Sequence, residues 1–151
     1  MRWTLITGMI ILASMSSTAK SQVEYLTRED SVFKKFDLPF SEAVRVGDTL
    51  YLSGQIGTKP GTIELIDGGI GPETRQTMEN IRTVLEANGS SLDSVVKCTL
   101  MLADIAEWRE ASEVYRGFFT ERLPARSAFA TTGLALGARV EIECLAYVGK
   151  D

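Results

Sequence analysis

The sequence predicts an α+β domain, a mixed sheet with two helices on one of its faces. Three observations predict it. Short alternating segments open and close the chain, two stretches carry apolar residues at helical spacing, and the order is strands, helix, strand, helix, strands. The length of 151 residues, with 44% hydrophobic and 24% charged, suits one domain with a core of its own.

The elements follow in order. "QVEYLT" (22–27) alternates as a short strand. "SEAVRVGDTLYLSGQIG" (41–57) reads as a hairpin, with Gly47-Asp48 at the turn. A Gly-rich loop, "TKPGTIELIDGGIGPE", leads to the first helix. Pro72 and Glu73 suit its first turn. Met78, Ile81 and Leu85, with Val84 beside them, give its apolar stripe, and Gly89 is its stop. "SVVKCTLMLAD" (94–104) is a strand whose apolar face is expected at Val96, Cys98, Leu100 and Leu102. Asp104 with Glu107 resembles a capping box for the second helix. Trp108, Ala111, Tyr115 and Phe118, with Val114 beside them, are expected as its inner stripe, and Pro124 as its end. "RSAFATT" and "RVEIECLAYV" close the chain as two strands. The sheet face without helices needs covering, which small domains often achieve by oligomerising.

The N-terminus has the tripartite pattern of a secretory signal: "MRWT", the apolar "LITGMIILASM", then small residues at Ser17 and Ala19. Cleavage is expected after Ala19, with Ser21 as the second choice. This gives a leader at 1–19, a domain at 22–149, and a periplasmic or secreted protein. The apolar stretch is short for a membrane span, so no stable membrane anchor is expected after cleavage. Loss of the leader removes Arg2 and lowers the formal net charge of −4 by one. So acidic a surface repels phosphate backbones, and nucleic acid is not expected as a partner. The chain has no histidine. This excludes a Ser-His-Asp triad, a Cys-His pair and histidine-bound zinc, and leaves proton transfer to carboxylates, Lys, Tyr, Cys or water. Cys98 and Cys144 both lie in apolar runs. The expectation is two buried free thiols, with a disulfide as the alternative an oxidising compartment permits.

Arg126 opens an otherwise uncharged strand just after Pro124. It reads either as a surface or salt-bridged arginine or as a planar fork for a carboxylate. Glu141 and Glu143 share one strand face, opposite Val140, Ile142 and Cys144. That face is either solvated or, at a subunit contact, able to orient or deprotonate a water. Its pKa is then expected to be set by burial against attraction to Arg126. Ser53 and Gly54 read as a bulge or strand end, or as a place where a ligand approaches the backbone. "DGGIGPE" (67–73) lacks the Lys and spacing of a P-loop and is read as a loop before a helix.

"SGQIG", "IGPETRQTMENIRTVLEANGSSLDSVVKCTLMLAD", "VYRGFF", "PARSAF" and "VEIECLA", in this order, resemble the reactive-intermediate deaminases, the Rid or YjgF-type family. The similarity covers about Gln22 to about Gly149. The resemblance implies a chorismate-mutase-like fold and a homotrimer with clefts between neighbours. It also implies hydrolysis of 2-imino and 2-enamino acids to 2-oxo acids and ammonia, with no metal or organic cofactor. Arg126 matches the arginine that pairs with the substrate carboxylate, and Glu141 the acid that positions the attacking water. Ser53 and Gly54 match the small-residue wall of the site. The chain departs from the pattern at three substrate-binding positions: Phe40 stands where Tyr is frequent, Ser112 where Asn is, and Ala128 where Cys is. The alternative is a non-catalytic binder of small carboxylates with the same fold. A third reading, RNA cleavage, is opposed by the acidic charge.

Overall fold

The computed structural model describes residues 23–149. The leader and both candidate cleavage sites lie outside these residues. Strands β1 (Val23–Leu26), β2 (Ala43–Val46), β3 (Thr49–Leu52), β4 (Gln55–Ile56), β5 (Val95–Leu102), β6 (Ala125–Ala130) and β7 (Val140–Tyr147) form one sheet. Its order is β1-β2-β3-β7-β5-β6, with β4 also on β7. Every pairing is antiparallel except β5 with β6. That parallel pair is spanned by helix α3 (Trp108–Arg116), since parallel neighbours need a crossover. Helix α2 (Ile70–Ala87) carries the chain from β4 to β5. Both helices cover the same sheet face, as expected. A four-residue helix, α1 (Val32–Lys35), is additional.

The core lies between this face and α2. Met78, Ile81, Val84 and Leu85 are fully buried, so the stripe is where the periodicity put it. The helix begins at Ile70, two residues before Pro72, and Gly89 follows its end with φ 73°. The first hairpin turns at Gly47, whose φ of 58° suits glycine.

Four expectations are corrected. The register of β5 on β7 shifts between Val95 and Lys97, so Val95 enters the core and Val96 is 54% exposed. The extra residue of a bulge reverses the alternation before it. Asp104 caps a 3-10 turn at Ile105–Glu107 rather than α3 itself, its carboxylate accepting from the Ala106 N–H. Helix α3 then ends at Arg116, well before Pro124, and Phe119 is buried beside Tyr115 while Trp108 stays 43% exposed. Finally, Cys98 and Cys144 are joined in a disulfide. They are direct partners across β5 and β7, with Cα atoms 4.2 Å apart, a juxtaposition only the sheet register creates. Closing a loop of 46 residues contributes about 4 kcal/mol in the chain-entropy account.

Strands β3 and β4 are two parts of one run along β7. Tyr51 faces Leu145, but Gln55 faces Ile142, so one extra residue is accommodated at Leu52–Gly54. The bulge reading of Ser53 and Gly54 therefore holds. The Ser53 hydroxyl donates to the Ser41 carbonyl (2.6 Å), and its N–H donates to the Glu42 carbonyl (3.1 Å). Glu42 is itself buried and takes two N–H groups of the Arg28 guanidinium. This pairing fixes the segment that carries Phe40.

Candidate functional site

The candidate residues form two groups. On the sheet face without helices, Glu141 extends from β7 beside the bulge. A Cβ on Gly54 would overlap its carboxylate, so only glycine leaves the room that this side chain occupies. Ser53 precedes Gly54, and Ser53 holds Ser41, next to Phe40. Phe40 is 52% exposed and packs edge-to-face on Phe33, with ring centroids 5.5 Å apart. Burial raises the Glu141 pKa above its ordinary value, and the charge of Glu143 adds to the rise. Within one chain the causes of the rise are burial and Glu143, and Arg126 of the same chain is not among them.

The second group lies at the opposite face. Arg126 is the Cα partner of Cys98, and Cys98 that of Cys144, so all three point to the helix side. Glu141, three residues from Cys144, points away. The Arg126 Nη1 donates to Ser112 Oγ at 3.1 Å. Its guanidinium carbon lies 5.4 Å from the Trp108 ring centre and 5.3 Å from that of Tyr115. Among the described residues it makes no ion pair. Ala128, two residues on along the edge strand β6, packs partly buried against the core. The structure thus groups Phe40, Ser53, Gly54 and Glu141, and separately Ser112, Arg126 and Ala128. It does not bring the two groups together within one chain.

Sequence reasoning missed Trp108 and Tyr115, which were assigned to the helix stripe. Their signal was present: with Ser112 they stand at i, i+4 and i+7, one helical face. A groove of about 290 Å³ lies between α1, α2 and the 58–61 loop and contains none of the candidate residues.

A small mixed-sheet domain with one uncovered face, a cation on one side and a half-buried carboxylate on the other defines a class of compact α+β proteins. Residues 35–148 match the model of the Endoribonuclease L-PSP family, and the chain belongs to that family, in which the Rid and YjgF-type proteins are found. It is 40% identical over 111 residues to the 2-iminobutanoate/2-iminopropanoate deaminase of Homo sapiens, covering 74% of this chain and 81% of that one. Among solved structures, the yeast protein YEO7 is similar with a TM-score of 0.76 and 36% identity, over 83% of this chain and 98% of that one. The structure of E. coli TdcF with bound serine gives 0.68 and 29%, over 72% and 87%.

Proposed function

We propose that this chain is an exported, homotrimeric deaminase that hydrolyses 2-imino and 2-enamino acids to 2-oxo acids and ammonia. The observation that carries the reading is the placement of an arginine that makes no ion pair among the described residues and a half-buried carboxylate on opposite faces of one sheet. A ligand touching both must lie between two copies, Arg126 coming from one and Glu141 from its neighbour. The deaminase relatives at about 40% identity support the chemistry, and the serine-bound relative supports a small carboxylate ligand.

In this reading Arg126 pairs with the substrate carboxylate and fixes the C=N carbon near Glu141. Glu141 accepts a proton from water as the oxygen adds to that carbon. It then returns the proton to the nitrogen, giving a carbinolamine, and a second transfer through Glu141, from the new hydroxyl to the amine nitrogen, lets the C–N bond break as the C=O forms and ammonia leaves. A carboxylate with a raised pKa is the better base for the first step. Phe40, Ser53 and Gly54 line the cleft beside Glu141, and Ser112 and Ala128 flank Arg126. No metal or organic cofactor is required, because the carboxylate and water carry the proton traffic. Residues 1–19 are removed on export, with cleavage after Ala19. The acidic charge does not favour the RNA cleavage that the family's description names.

The test generates an imino acid with an amino-acid oxidase and follows its decay. Wild type should accelerate it, and Arg126→Ala and Glu141→Gln should not. Mixing the two inactive variants and allowing subunit exchange should restore about a quarter of the activity, the statistical share of clefts with both groups intact. Decay no faster with wild type than without protein ends the deaminase reading. Binding of a 2-oxo acid without turnover would favour a carboxylate-binding protein instead. Native mass spectrometry of the secreted protein checks the trimer and the cut together.

A further inference from the structure

Trp108, at the start of α3, is a large aromatic left 43% exposed. Tyr115, two turns later, is 3% exposed, yet among the described residues its hydroxyl has no hydrogen-bond partner. A helix stripe built only for packing would bury the first ring and satisfy the second ring's polar atom. What the two share is Arg126: both ring centres lie within 5.4 Å of its guanidinium carbon, and Ser112, between them on the same helix face, accepts its Nη1–H. We infer that Trp108, Ser112 and Tyr115 are positioning residues that hold the Arg126 fork in one orientation before substrate arrives.

The inference rests on the deaminase reading and adds the device that sets how tightly the substrate acid is held. Arginine has four side-chain torsions to fix before two parallel N–H donors can meet a carboxylate. β6 is an edge strand among the described residues, and no neighbouring strand of these confines Arg126 on its outer side. The rings restrain the plane of the guanidinium through its attraction to their faces, and Ser112 restrains its rotation by engaging Nη1. The remaining N–H groups are left for the ligand. Ordering the side chain during folding spares that entropy at binding, so the effect appears in substrate affinity rather than in the chemical step.

Trp108→Ala is expected to raise KM about fivefold with kcat within about twofold, from the usual weight of one such contact. Trp108→Phe should recover most of the loss. Ser112→Ala, a change too small to disturb the helix, should raise KM about threefold. In an Arg126→Ala background neither substitution should weaken ligand binding further, since the group they orient is gone. A merely structural role would lower melting temperature and affect both backgrounds alike. The same variants are titrated with 2-oxobutanoate by calorimetry, which separates the two claims. A wild type that binds the oxo acid but turns nothing over sinks the deaminase reading and leaves this inference to be read from the Kd values. Trp108→Ala and Ser112→Ala proteins with wild-type KM and Kd overturn the inference and leave the deaminase reading standing. A wild type that neither binds nor reacts overturns both.

Discussion

Two carboxylates flank the same short segment, "SGQIG", and they have opposite surroundings. Glu73, in the first turn of α2, is 3% exposed and lies against Gly57. Its Oε1 accepts the backbone N–H groups of Arg139 (2.7 Å) and Val140 (3.4 Å). It therefore satisfies two donors at the start of β7 and ties that strand to the helix. Glu141, one residue beyond Val140 on the same strand, lies against Gly54 on the other face of the sheet. Desolvation and the neighbouring charge of Glu143 act on it, and among the described residues no hydrogen bond offsets them. The contrast separates two uses of a partly or fully buried acid. One is occupied by the fold, and the other is held by the fold with its oxygens available.

The largest expected effect that tests this contrast is on turnover. Glu141→Gln should reduce kcat about 1,000-fold, near 4 kcal/mol in the barrier, with little change in melting temperature. Glu73→Ala should do the reverse. It leaves two backbone donors unmet and should cost about 3 kcal/mol of stability, read by denaturant unfolding, with residual activity in the folded fraction. The glycines should follow their partners. Gly54→Ala displaces a movable carboxylate and should lower kcat about 100-fold. Gly57→Ala meets the Glu73 backbone carbonyl at 2.8 Å, which cannot swing aside, and should cost about 2 kcal/mol of stability. The smallest effect is on the pH profile. Under the proposed mechanism protonation of Glu141 removes the base, so the acid limb of kcat/KM should be shifted upward from that of an ordinary carboxylate. Glu143→Gln removes a charge that raises that pKa, so the limb should move to lower pH. An unmoved limb would mean that another group controls it.

Much of this arrangement was legible in the sequence, wherever a regular period carried it. The α2 stripe and the division of β7 into Val140, Ile142 and Cys144 against Glu141 and Glu143 follow from spacings of 3.6 and 2. The misses fall where a residue count breaks the period or where only register decides. The extra residue at Val95–Lys97 inverted Val96, and α1 has too few residues to show a helical repeat. The disulfide needed the opposition of Cys98 and Cys144 across two strands 46 residues apart. Arg126 stands out in the sequence as a candidate, but its sheet face depends on the parallel register of β6 on β5, which no local pattern encodes.

The spacing between Gly54 and Gly57 has a consequence for how this chain can vary. The two residues between them, Gln55 and Ile56, are bonded to β7 opposite Ile142 and Glu141. Inserting or deleting one residue here would turn the segment over, presenting a side chain to one acid and shifting the other from its strand. Surface loops of this domain can drift in length through generations of descent, whereas this tetrapeptide cannot, even though half of it is small and nothing in it performs chemistry.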